Sequence, residues 1–294
     1  MVNSIVLRSF AKINLGLLVK DKRADGYHNI ETILVLVRLS DKIRLKKISN
    51  GILIKTINHK IKIPQGKNNL AYQAASLFIK EVNITEGIEI SIEKNIPIGA
   101  GLGGASSNAA TVLQGLNYLY GQPLNKKMLN NLALELGMDV PFFLRGKACY
   151  ATGRGEILKP IKIPKLDIVL HFPGYPVFTK WAYQQISKSS RLPKKRLLTN
   201  GVLSLKILRK KLLSGDLKDL QRYLKNSFEN FVFAHHPELA EIKEFFLTHG
   251  ADAASLTGSG SAIFALVRRP NIPALKTALK HHNLAAVFTE SLNL

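Results

Sequence analysis

Residues 97–110 read Pro-Ile-Gly-Ala-Gly-Leu-Gly-Gly-Ala-Ser-Ser-Asn-Ala-Ala, with four glycines and two serines in one short segment. Residues 88–93 before it alternate apolar and polar side chains with the two-residue period of a half-buried strand. From Ser106 to about Tyr120, apolar side chains recur at helical spacing. A glycine loop that opens onto a helix leaves backbone N–H groups without partners inside the helix. These groups and the positive end of the helix dipole bind phosphate oxygens. The segment therefore predicts a strand, a phosphate-binding loop and a helix.

Other types of glycine loop fit this segment less well. Gly99, Gly101 and Gly104 match the dinucleotide pattern G-x-G-x-x-G, but that pattern also needs an acidic residue about 20 positions later. Residues 105–134 contain no Asp or Glu. A Walker A loop needs a lysine directly after its last glycine, and protein kinases carry H-R-D and D-F-G elements downstream. This sequence has neither feature. A tight turn without a ligand is the remaining alternative, but so many glycines together cost much backbone entropy.

Two polar residues stand within an apolar strand pattern near the start of the chain. Lys12 and Asn14 share one face under the two-residue strand period, and their neighbours are apolar. The spacing alone favours a solvent-facing strand surface, and a polar binding site is the alternative. The Asp-Gly pair at residues 25–26 predicts a turn that places Tyr27 and His28 at the start of the next strand. Taken alone, such a histidine is more often bonded to nearby backbone than to a ligand.

An aspartate follows a predicted helix end in the middle of the chain. Residues 130–136 have a helical pattern, and Gly137 is typical of the residue that ends a helix. Asp139 comes directly before Val-Pro, a sequence that commonly begins a further helix with the aspartate as its cap. Local evidence therefore favours a capping role for Asp139. A carboxylate that faces a cleft is the alternative, and one residue can do both.

The second half of the chain contains another glycine loop. Residues 255–264 read Ser-Leu-Thr-Gly-Ser-Gly-Ser-Ala-Ile-Phe, and alone they fit a hairpin turn as well as a binding loop. Residues 168–170 predict a buried strand. Thr179 and Tyr183 are four positions apart and would share one face of a helix. Tyr183 either packs on the core or lines a site.

Length and composition bound the class of protein. The chain has 294 residues, enough for two modest domains with buried cores. Its single cysteine, Cys149, excludes an internal disulfide and suits a reducing cytoplasm. No apolar run reaches membrane-spanning length, and the first residues lack the features of a signal peptide. We therefore expect a cytoplasmic protein.

The charge is strongly positive, with 42 Lys and Arg against 20 Asp and Glu and a net charge of +22. Such a charge is typical of nucleic-acid-binding proteins, and residues 203–224 predict a basic amphipathic helix that would suit a membrane surface. The basic residues of the second half include Lys188, Arg191, Lys194, Lys195, Arg196, Lys206, Arg209, Lys210 and Lys211. No nucleic-acid motif and no interleaved aromatic residues accompany them. Because a positive field also steers anionic small molecules, we expect those as partners, with no nucleic acid and no membrane.

Residues 97–110 resemble the second motif, P-x-x-x-G-L-G-[GS]-S-S, of the GHMP family of small-molecule kinases. Further segments resemble that family in the family's order, namely residues 11–28, 137–143, 149–156, 177–183 and 255–264. The resemblance implies an α+β protein of two domains. The N-terminal domain, residues 1–162, would have a mixed sheet of the ribosomal-protein-like type. The C-terminal domain, residues 163–294, would be a ferredoxin-like α/β sandwich.

The resemblance also implies a reaction, the transfer of a phosphoryl group from ATP to an alcohol. Asp139 would accept the proton of the hydroxyl group, and Lys12 would keep Asp139 ionised and stabilise charge on the transferring group. The residues that the resemblance assigns to ATP are Pro97, Ile98, Gly99, Ala100, Gly101, Leu102, Gly103, Gly104, Ala105, Ser106 and Ser107. ATP implies Mg²⁺, whose protein ligands the sequence leaves open.

The Asp-Gly-Tyr-His sequence at residues 25–28 and the surroundings of Asp139 resemble one branch of the family in particular. That branch phosphorylates a cytidine diphosphate sugar alcohol on the non-mevalonate route to isoprenoid precursors. The substrate-binding residues that this resemblance implies are Asn14, Tyr27, His28, Thr179 and Tyr183. Asn14 would lie at the reacting hydroxyl, and the aromatic residues would hold the cytosine.

Two rings are expected to enclose the cytosine base. A tyrosine stacks well on a pyrimidine, so Tyr27 and Tyr183 would face each other about 7 Å apart. The alternative within the family is a kinase for a smaller alcohol such as homoserine or mevalonate. The alternative outside it is a basic nucleic-acid-binding protein. We expect the chain to be a monomer or a weak homodimer.

Overall fold

The computed structural model describes residues 2–57, 61, 63–189 and 195–292. In this part of the chain the strands are β1 (Ser4–Lys22), β2 (His28–Ile48), β3 (Ile52–Thr56), β4 (Gly87–Glu93), β5 (Cys149–Thr152), β6 (Ile157–Pro160), β7 (Asp167–His171), β8 (Ala253–Leu256), β9 (Ile263–Leu266) and β10 (Val287–Leu292). The helices there are α1 (Leu70–Val82), α2 (Gly104–Leu119), α3 (Lys126–Leu136), α4 (Val140–Arg145), α5 (Thr179–Ser189), α6 (Lys195–Ser214), α7 (Glu229–His235), α8 (Pro237–Thr248) and α9 (Ile272–His281).

The chain forms two compact units, each assembled from separate stretches. The first unit consists of Met1–Ala11, Leu39–Ile98 and Gly103–Gly146. The second unit consists of Lys12–Arg38, Gly99–Leu102 and Lys147–Leu294. The glycine-rich segment 97–110 therefore contributes residues to both units. The boundary predicted at residues 162–163 concerns the two family domains rather than these units, and it stays a prediction.

In its described residues, the first unit contains a mixed sheet and the helices α1, α2, α3 and α4. Strand β4 pairs antiparallel with the later part of β2 and parallel with β3. Helices α1 and α2 pack against each other. Helix α3 packs on both of them, and α4 packs on α2 and α3. Helix α2 is buried over most of its surface. Gly115 permits this close packing, because a Cβ there would lie 2.5 Å from Leu45 and 2.7 Å from Leu7.

The second unit contains an antiparallel sheet with the order β10-β7-β9-β8. Numbered along the chain from β7, this order is fourth, first, third, second, with helices after the first and third strands. That arrangement is the ferredoxin-like βαββαβ sandwich implied by the resemblance, and it is confirmed. Helix α8 packs on β8 and β9. The early part of β2 pairs with β5 and β10 in the same unit.

Most local elements agree with the sequence patterns. The strand predicted at residues 88–93 is β4, and the strand predicted at 168–170 lies within β7. The helix predicted from Ser106 is α2, which begins earlier, at Gly104. Helix α3 ends at Leu136, with Gly137 as its C-cap, as predicted.

The basic helix predicted for residues 203–224 is wrong at both ends. Helix α6 begins before that range and ends within it, and a short 3₁₀ turn follows after an irregular stretch. Gly215 adopts a positive φ of 70°, which ends the helix. Asp216 then accepts the backbone N–H of Lys218 at 3.1 Å. The apolar spacing continued through this turn, and the pattern alone could not show the break.

The composition also led to predictions about membrane-spanning segments, the cysteine and the basic stretch. Within the described ranges, no helix is long and apolar enough to cross a membrane. Cys149 is buried, and its thiol donates to the carbonyl of Lys147 at 3.3 Å. Arg191 and Lys194, two members of the basic stretch, lie outside the described residues.

Candidate functional site

The two glycine loops meet within the second unit. The first loop contributes Gly99–Leu102 to that unit, and the second forms the connection between β8 and β9. Ala262 donates its backbone N–H to the carbonyl of Ala100 at 3.2 Å. A Cβ on Gly101, whose φ is +75°, would lie well inside 3.0 Å of the Thr257 carbonyl oxygen. The second loop is therefore a hairpin connection, and it also packs directly on the first loop.

Lys12 lies against both glycine loops. Its backbone N–H donates to the carbonyl of Leu102 at 3.0 Å. Its ammonium donates to Asn14 Oδ1 at 2.6 Å and lies 3.4 Å from where a Cβ on Gly258 would be. Lys12 and Asn14 are each only 4% exposed. The solvent-facing strand surface that the spacing favoured is therefore wrong, because the two side chains form a buried polar pair.

A chain of hydrogen bonds fixes the orientation of Asn14. Its side-chain amide donates to the Thr32 hydroxyl at 2.9 Å, and that hydroxyl donates to the carbonyl of Gly16 at 2.6 Å. The backbone N–H of Asn14 donates to the Thr257 hydroxyl at 3.1 Å. Because the amide nitrogen is committed to Thr32, the amide oxygen points to the Lys12 ammonium. Sequence reasoning missed Thr32, which carries no local signal of this role.

A buried histidine lies on the face of a predicted substrate residue. The rings of His28 and Tyr183 stack with centroids 5.4 Å apart. Tyr183 also meets the edge of Phe228 at 5.0 Å, and the Ser187 hydroxyl lies 3.4 Å from His28 Nε2. Burial lowers the pKa of His28 below its ordinary value, and the nearby Lys22 charge adds to this effect. The ring stacked on Tyr183 is therefore mainly the neutral imidazole near neutral pH.

Tyr27 has different surroundings from those of His28. Its ring is 53% exposed, and the guanidinium of Arg154 lies 5.2 Å from the ring centroid. Arg154 is held in turn by Glu156, which accepts its backbone N–H at 2.6 Å. The residue in contact with the face of Tyr183 is thus His28. The expected enclosure of a base by Tyr27 and Tyr183 stays a prediction.

Thr179 connects the start of α5 to the second glycine loop. Its hydroxyl lies 2.9 Å from the hydroxyl of Ser259, within hydrogen-bonding distance. Thr179 is exposed and Ser259 is buried. The two predicted substrate residues of α5, Thr179 and Tyr183, therefore contact the glycine loop and His28, respectively.

The first unit holds the start of helix α2. Gly103 is the N-cap and adopts a left-handed conformation with φ 68°, and no side chain caps the helix. Ser107 is the residue whose N–H bonds back to the Gly103 carbonyl, at 2.9 Å. The N–H groups of the first helical turn have no partner within the helix. This part of the loop therefore has the geometry of an anion site.

The two serines of the loop differ in their surroundings. Ser107 is buried, and its hydroxyl donates to the carbonyl of Phe10 at 2.6 Å and accepts from the Ser9 hydroxyl at 2.7 Å. Ser106 is partly exposed. Ser107 therefore fastens the start of α2 to β1, and Ser106 has the more accessible hydroxyl. A direct role of either serine with ATP stays a prediction.

A buried ion pair lies directly beneath the start of α2. The Lys94 ammonium donates to Asp41 at 2.6 Å and to the Ile96 carbonyl at 2.6 Å. It also lies 3.0 Å from where a Cβ on Gly104 would be. Burial lowers the pKa of Lys94, and Asp41 opposes that shift. Neither residue stands out in the sequence, because the contact joins residues 53 positions apart.

Asp139 occupies the N-cap position of α4 but does not cap the helix with its side chain. Its backbone is in the right-handed helical region, with φ −84° and ψ −18°, and Pro141 lies in the first turn. The capping interpretation that local evidence favoured is therefore wrong for the carboxylate. Asp139 is half-buried, so its carboxylate is held near the surface of the first unit.

The sequence does not identify protein ligands for Mg²⁺. Among the residues that the structure describes, no group of three or more His, Cys, Asp or Glu side chains could hold a metal ion. A Mg²⁺ ion that accompanies a nucleotide needs only one or two carboxylates beside phosphate oxygens.

Comparisons with known proteins agree with the motifs. The model of the GHMP kinases N terminal domain matches residues 69–147, and that of the GHMP kinases C terminal matches residues 208–284. The 4-diphosphocytidyl-2-C-methyl-D-erythritol kinase of Bacillus anthracis is 37% identical over 266 residues, covering 90% of this chain and 88% of that protein. That of Chlorobium chlorochromatii is 38% identical over 261 residues, covering 88% of this chain and 87% of that protein.

A solved structure extends this similarity to three dimensions. The crystal structure of a 4-(cytidine 5'-diphospho)-2C-methyl-D-erythritol kinase superposes with a TM-score of 0.80 and 34% sequence identity. The match covers 98% of this chain and 99% of the chain in that crystal structure. A homoserine kinase from Cytophaga hutchinsonii has a TM-score of 0.72 but only 20% identity, so it shares the fold alone. The chain therefore belongs to the GHMP kinases, and within them to the 4-diphosphocytidyl-2-C-methyl-D-erythritol kinase family.

Proposed function

We propose that this chain transfers the γ-phosphoryl group of ATP to the 2-hydroxyl of 4-diphosphocytidyl-2-C-methyl-D-erythritol, a step on the non-mevalonate route to isoprenoid precursors. The observation that carries the proposal is the cluster in the second unit. There the buried pair Lys12 and Asn14 lies against both glycine loops, and the same unit holds the stacked rings of His28 and Tyr183. Membership of the family supports this choice of reaction and acceptor.

The phosphates of ATP are proposed to bind the glycine-rich segment from Pro97 to Ser107. The N–H groups at the start of α2 are donors for phosphate oxygens, and the positive end of its dipole favours their charge. Phosphoryl transfer depends mainly on positioning and on stabilising charge that spreads over the phosphate oxygens. Mg²⁺, when bound, would neutralise part of that charge while held chiefly by the phosphates themselves.

Asp139 is proposed as the base that accepts the proton of the acceptor hydroxyl. Its carboxylate does not cap α4, and the proposed role is the one that the family resemblance implies. Lys12 is proposed to keep Asp139 ionised and to stabilise the transferring group, as the family resemblance implies. Asn14 would orient the hydroxyl, and its own amide is already fixed by Thr32.

The cytosine is proposed to bind at Tyr27, His28, Thr179 and Tyr183. A neutral imidazole carries one N–H donor and one acceptor nitrogen, which suits the mixed donor and acceptor edge of cytosine. The exposed Tyr27 ring offers a stacking surface that the Arg154 guanidinium holds from one side. The positive net charge of the chain favours the encounter with ATP and with a diphosphate-bearing acceptor.

The pH dependence of acceptor binding follows from His28. Because burial lowers its pKa below the ordinary 6.5, the neutral ring predominates at pH values above that figure. The KM for the acceptor, measured at saturating Mg-ATP, should therefore be lowest near pH 8 and should rise as the pH falls below 6.5. The His28→Gln variant keeps a donor and an acceptor without titrating, so its KM should be higher but should not rise in that way. An equally steep rise in both proteins would contradict this role for His28.

Several broader expectations remain part of the proposal. The two family domains would meet at residues 162–163, as the motif positions suggest. The protein would act in the cytoplasm, in keeping with its single cysteine, and as a monomer or weak homodimer. Its partners would be ATP and the sugar-nucleotide acceptor rather than nucleic acid or membrane.

The acceptor is tested directly with purified protein and Mg-ATP. Separate reactions contain 4-diphosphocytidyl-2-C-methyl-D-erythritol, mevalonate, homoserine or galactose, and the mass of each product is measured. We expect a phosphorylated product from the first acceptor. Faster transfer to one of the others would overturn the acceptor assignment. Salt-sensitive retention of DNA or RNA that survives Asp139→Asn, with no transfer to any alcohol, would indicate a nucleic-acid-binding protein instead.

A further inference from the structure

A short extended segment at residues 225–227 runs beside β1 in the second unit. Leu17 donates its backbone N–H to the Lys225 carbonyl at 2.7 Å and accepts the N–H of Ser227 at 2.8 Å. The Ser227 hydroxyl accepts the N–H of Val19 at 3.0 Å. The strand that carries Lys12 and Asn14 is thus bonded along its later part to this segment. The residue in the middle of the segment is Asn226.

The Asn226 side chain spans the second glycine loop. Its amide nitrogen donates to the carbonyls of Leu256, at 2.7 Å, and Gly258, at 2.9 Å. These carbonyls lie on either side of Thr257. The backbone of Thr257 is therefore clamped by one carboxamide, which is itself buried and only 8% exposed.

Thr257 in turn connects the catalytic strand to the first glycine loop. Its hydroxyl accepts the backbone N–H of Asn14 at 3.1 Å and lies 3.4 Å from the Gly101 carbonyl, to which it donates. A clamp on Thr257 therefore controls the spacing between Gly101 and the strand that holds Lys12. A displacement of about 1 Å in such a support can cost 10²-fold in rate.

The oxygen of the same carboxamide is bonded on the side of the proposed cytosine site. The Asn226 oxygen accepts the backbone N–H of Phe228 at 2.9 Å, and the Phe228 ring meets Tyr183 edge-on at 5.0 Å. The Asn226 side chain is therefore bonded to the second glycine loop, beside the proposed ATP site. It is also bonded to Phe228, whose ring packs on Tyr183 at the proposed cytosine site.

We propose that Asn226 is a positioning residue that holds the second glycine loop through Thr257 and so sets the geometry of the ATP phosphates against Lys12. This inference rests on the proposed function for the identity of ATP as the phosphoryl donor. Asn226 contacts no reacting atom. The two ends of its carboxamide have different roles. The nitrogen donates to the carbonyls of the loop, and the oxygen accepts the N–H of Phe228.

The Asn226→Asp variant separates these functions. A carboxylate keeps the oxygen that accepts from Phe228, but it places a second oxygen against the carbonyls of Leu256 and Gly258. Two acceptors that face each other cannot form a hydrogen bond, so the loop should move. We expect Mg-ATP affinity and kcat each to fall by about tenfold to 10²-fold, with the KM for the acceptor unchanged.

Asn117 offers a matched control. It is also 8% exposed, donates its amide to the Leu124 carbonyl at 3.0 Å, and accepts the Leu124 N–H at 2.9 Å. It lies near the far end of α2, in the first unit. The Asn117→Asp variant should lower the melting temperature without changing Mg-ATP affinity or kcat.

The experiment measures Mg-ATP affinity by calorimetry without acceptor, then kcat and both KM values per folded protein. Loss of ATP affinity and kcat in Asn226→Asp but not in Asn117→Asp supports the proposal. A lowered melting temperature with unchanged constants in Asn226→Asp overturns it. Should Asn226→Asp fail to fold, Thr257→Val tests the same chain of contacts, and wild-type constants there would overturn it as well. Because ATP affinity needs no acceptor, failure of the acceptor assignment leaves this test intact.

Discussion

Replacement of Asp139 by asparagine should lower kcat by about 10²- to 10⁴-fold, the usual contribution of a positioned base. Asparagine has the same shape, but its amide cannot accept the proton that the acceptor hydroxyl loses. The affinity for Mg-ATP should not fall, because the glycine loop supplies the donors for the phosphates. The measurement is steady-state turnover beside calorimetric titration with Mg-ATP.

Asp219 provides the control for this substitution. It also occupies the N-cap position of a helical turn without a side-chain capping bond. The Asp219→Asn variant should have wild-type turnover, because this residue belongs to a surface turn with Arg222 as its ionic neighbour. Turnover within a few-fold of wild type in Asp139→Asn would remove Asp139 from the role of base.

The Gly101→Ala variant should lose about 10²- to 10³-fold in kcat/KM for ATP, comparable with the loss of a preorganised donor. A Cβ at this position would enter the space of the Thr257 carbonyl oxygen, and backbone atoms cannot rotate away as a side chain can. The two glycine loops would have to separate, and the phosphate-binding N–H groups would lose their alignment.

Gly121→Ala separates this effect from backbone strain. Gly121 has a φ of +79°, close to the +75° of Gly101, but apart from its chain neighbours no atom of the described residues lies within 4 Å of a Cβ placed there. Both variants carry the cost of a left-handed alanine, about 1–2 kcal/mol. Only Gly101→Ala should lose ATP affinity. Equal kinetic defects in the two variants would show that strain, rather than contact between the loops, is responsible.

Local patterns were sufficient where neighbouring residues decide the structure. The strand at residues 88–93 follows from its two-residue period, and the glycine loop follows from the backbone freedom of glycine. Helix α2 follows from its helical spacing and from the N–H groups left over at its start. All of these features act within a few residues. The end of α3 at Gly137 has the same origin.

Local patterns failed where tertiary contacts decide the role of a side chain. Lys12 and Asn14 looked like a solvent-facing strand surface, because the sequence does not show that the Thr257 hairpin folds over them. Asp139 looked like a helix cap, because Val-Pro after an aspartate predicts one, yet its side chain makes no capping bond. In both cases the contacts that decide the outcome lie outside the local sequence.

Residues that support the site from a distance in sequence had no local signal at all. The Lys94 ammonium bonds to Asp41 across a strand pair, and Asn226 reaches the carbonyls of Leu256 and Gly258. A buried asparagine in a short connection looks like an ordinary turn residue. Only the fold shows which carbonyls its amide meets.

The acceptor hydroxyl is identified by a competition among three alcohols. Mg-ATP and the protein are mixed with equal amounts of 4-diphosphocytidyl-2-C-methyl-D-erythritol, mevalonate and homoserine, and phosphorus NMR follows the products against ADP. We expect one new phosphomonoester, on the 2-hydroxyl of the cytidine compound, formed in equal amount to ADP. A phosphomonoester on mevalonate or homoserine, or ADP formed without any phosphomonoester, would overturn the proposed function.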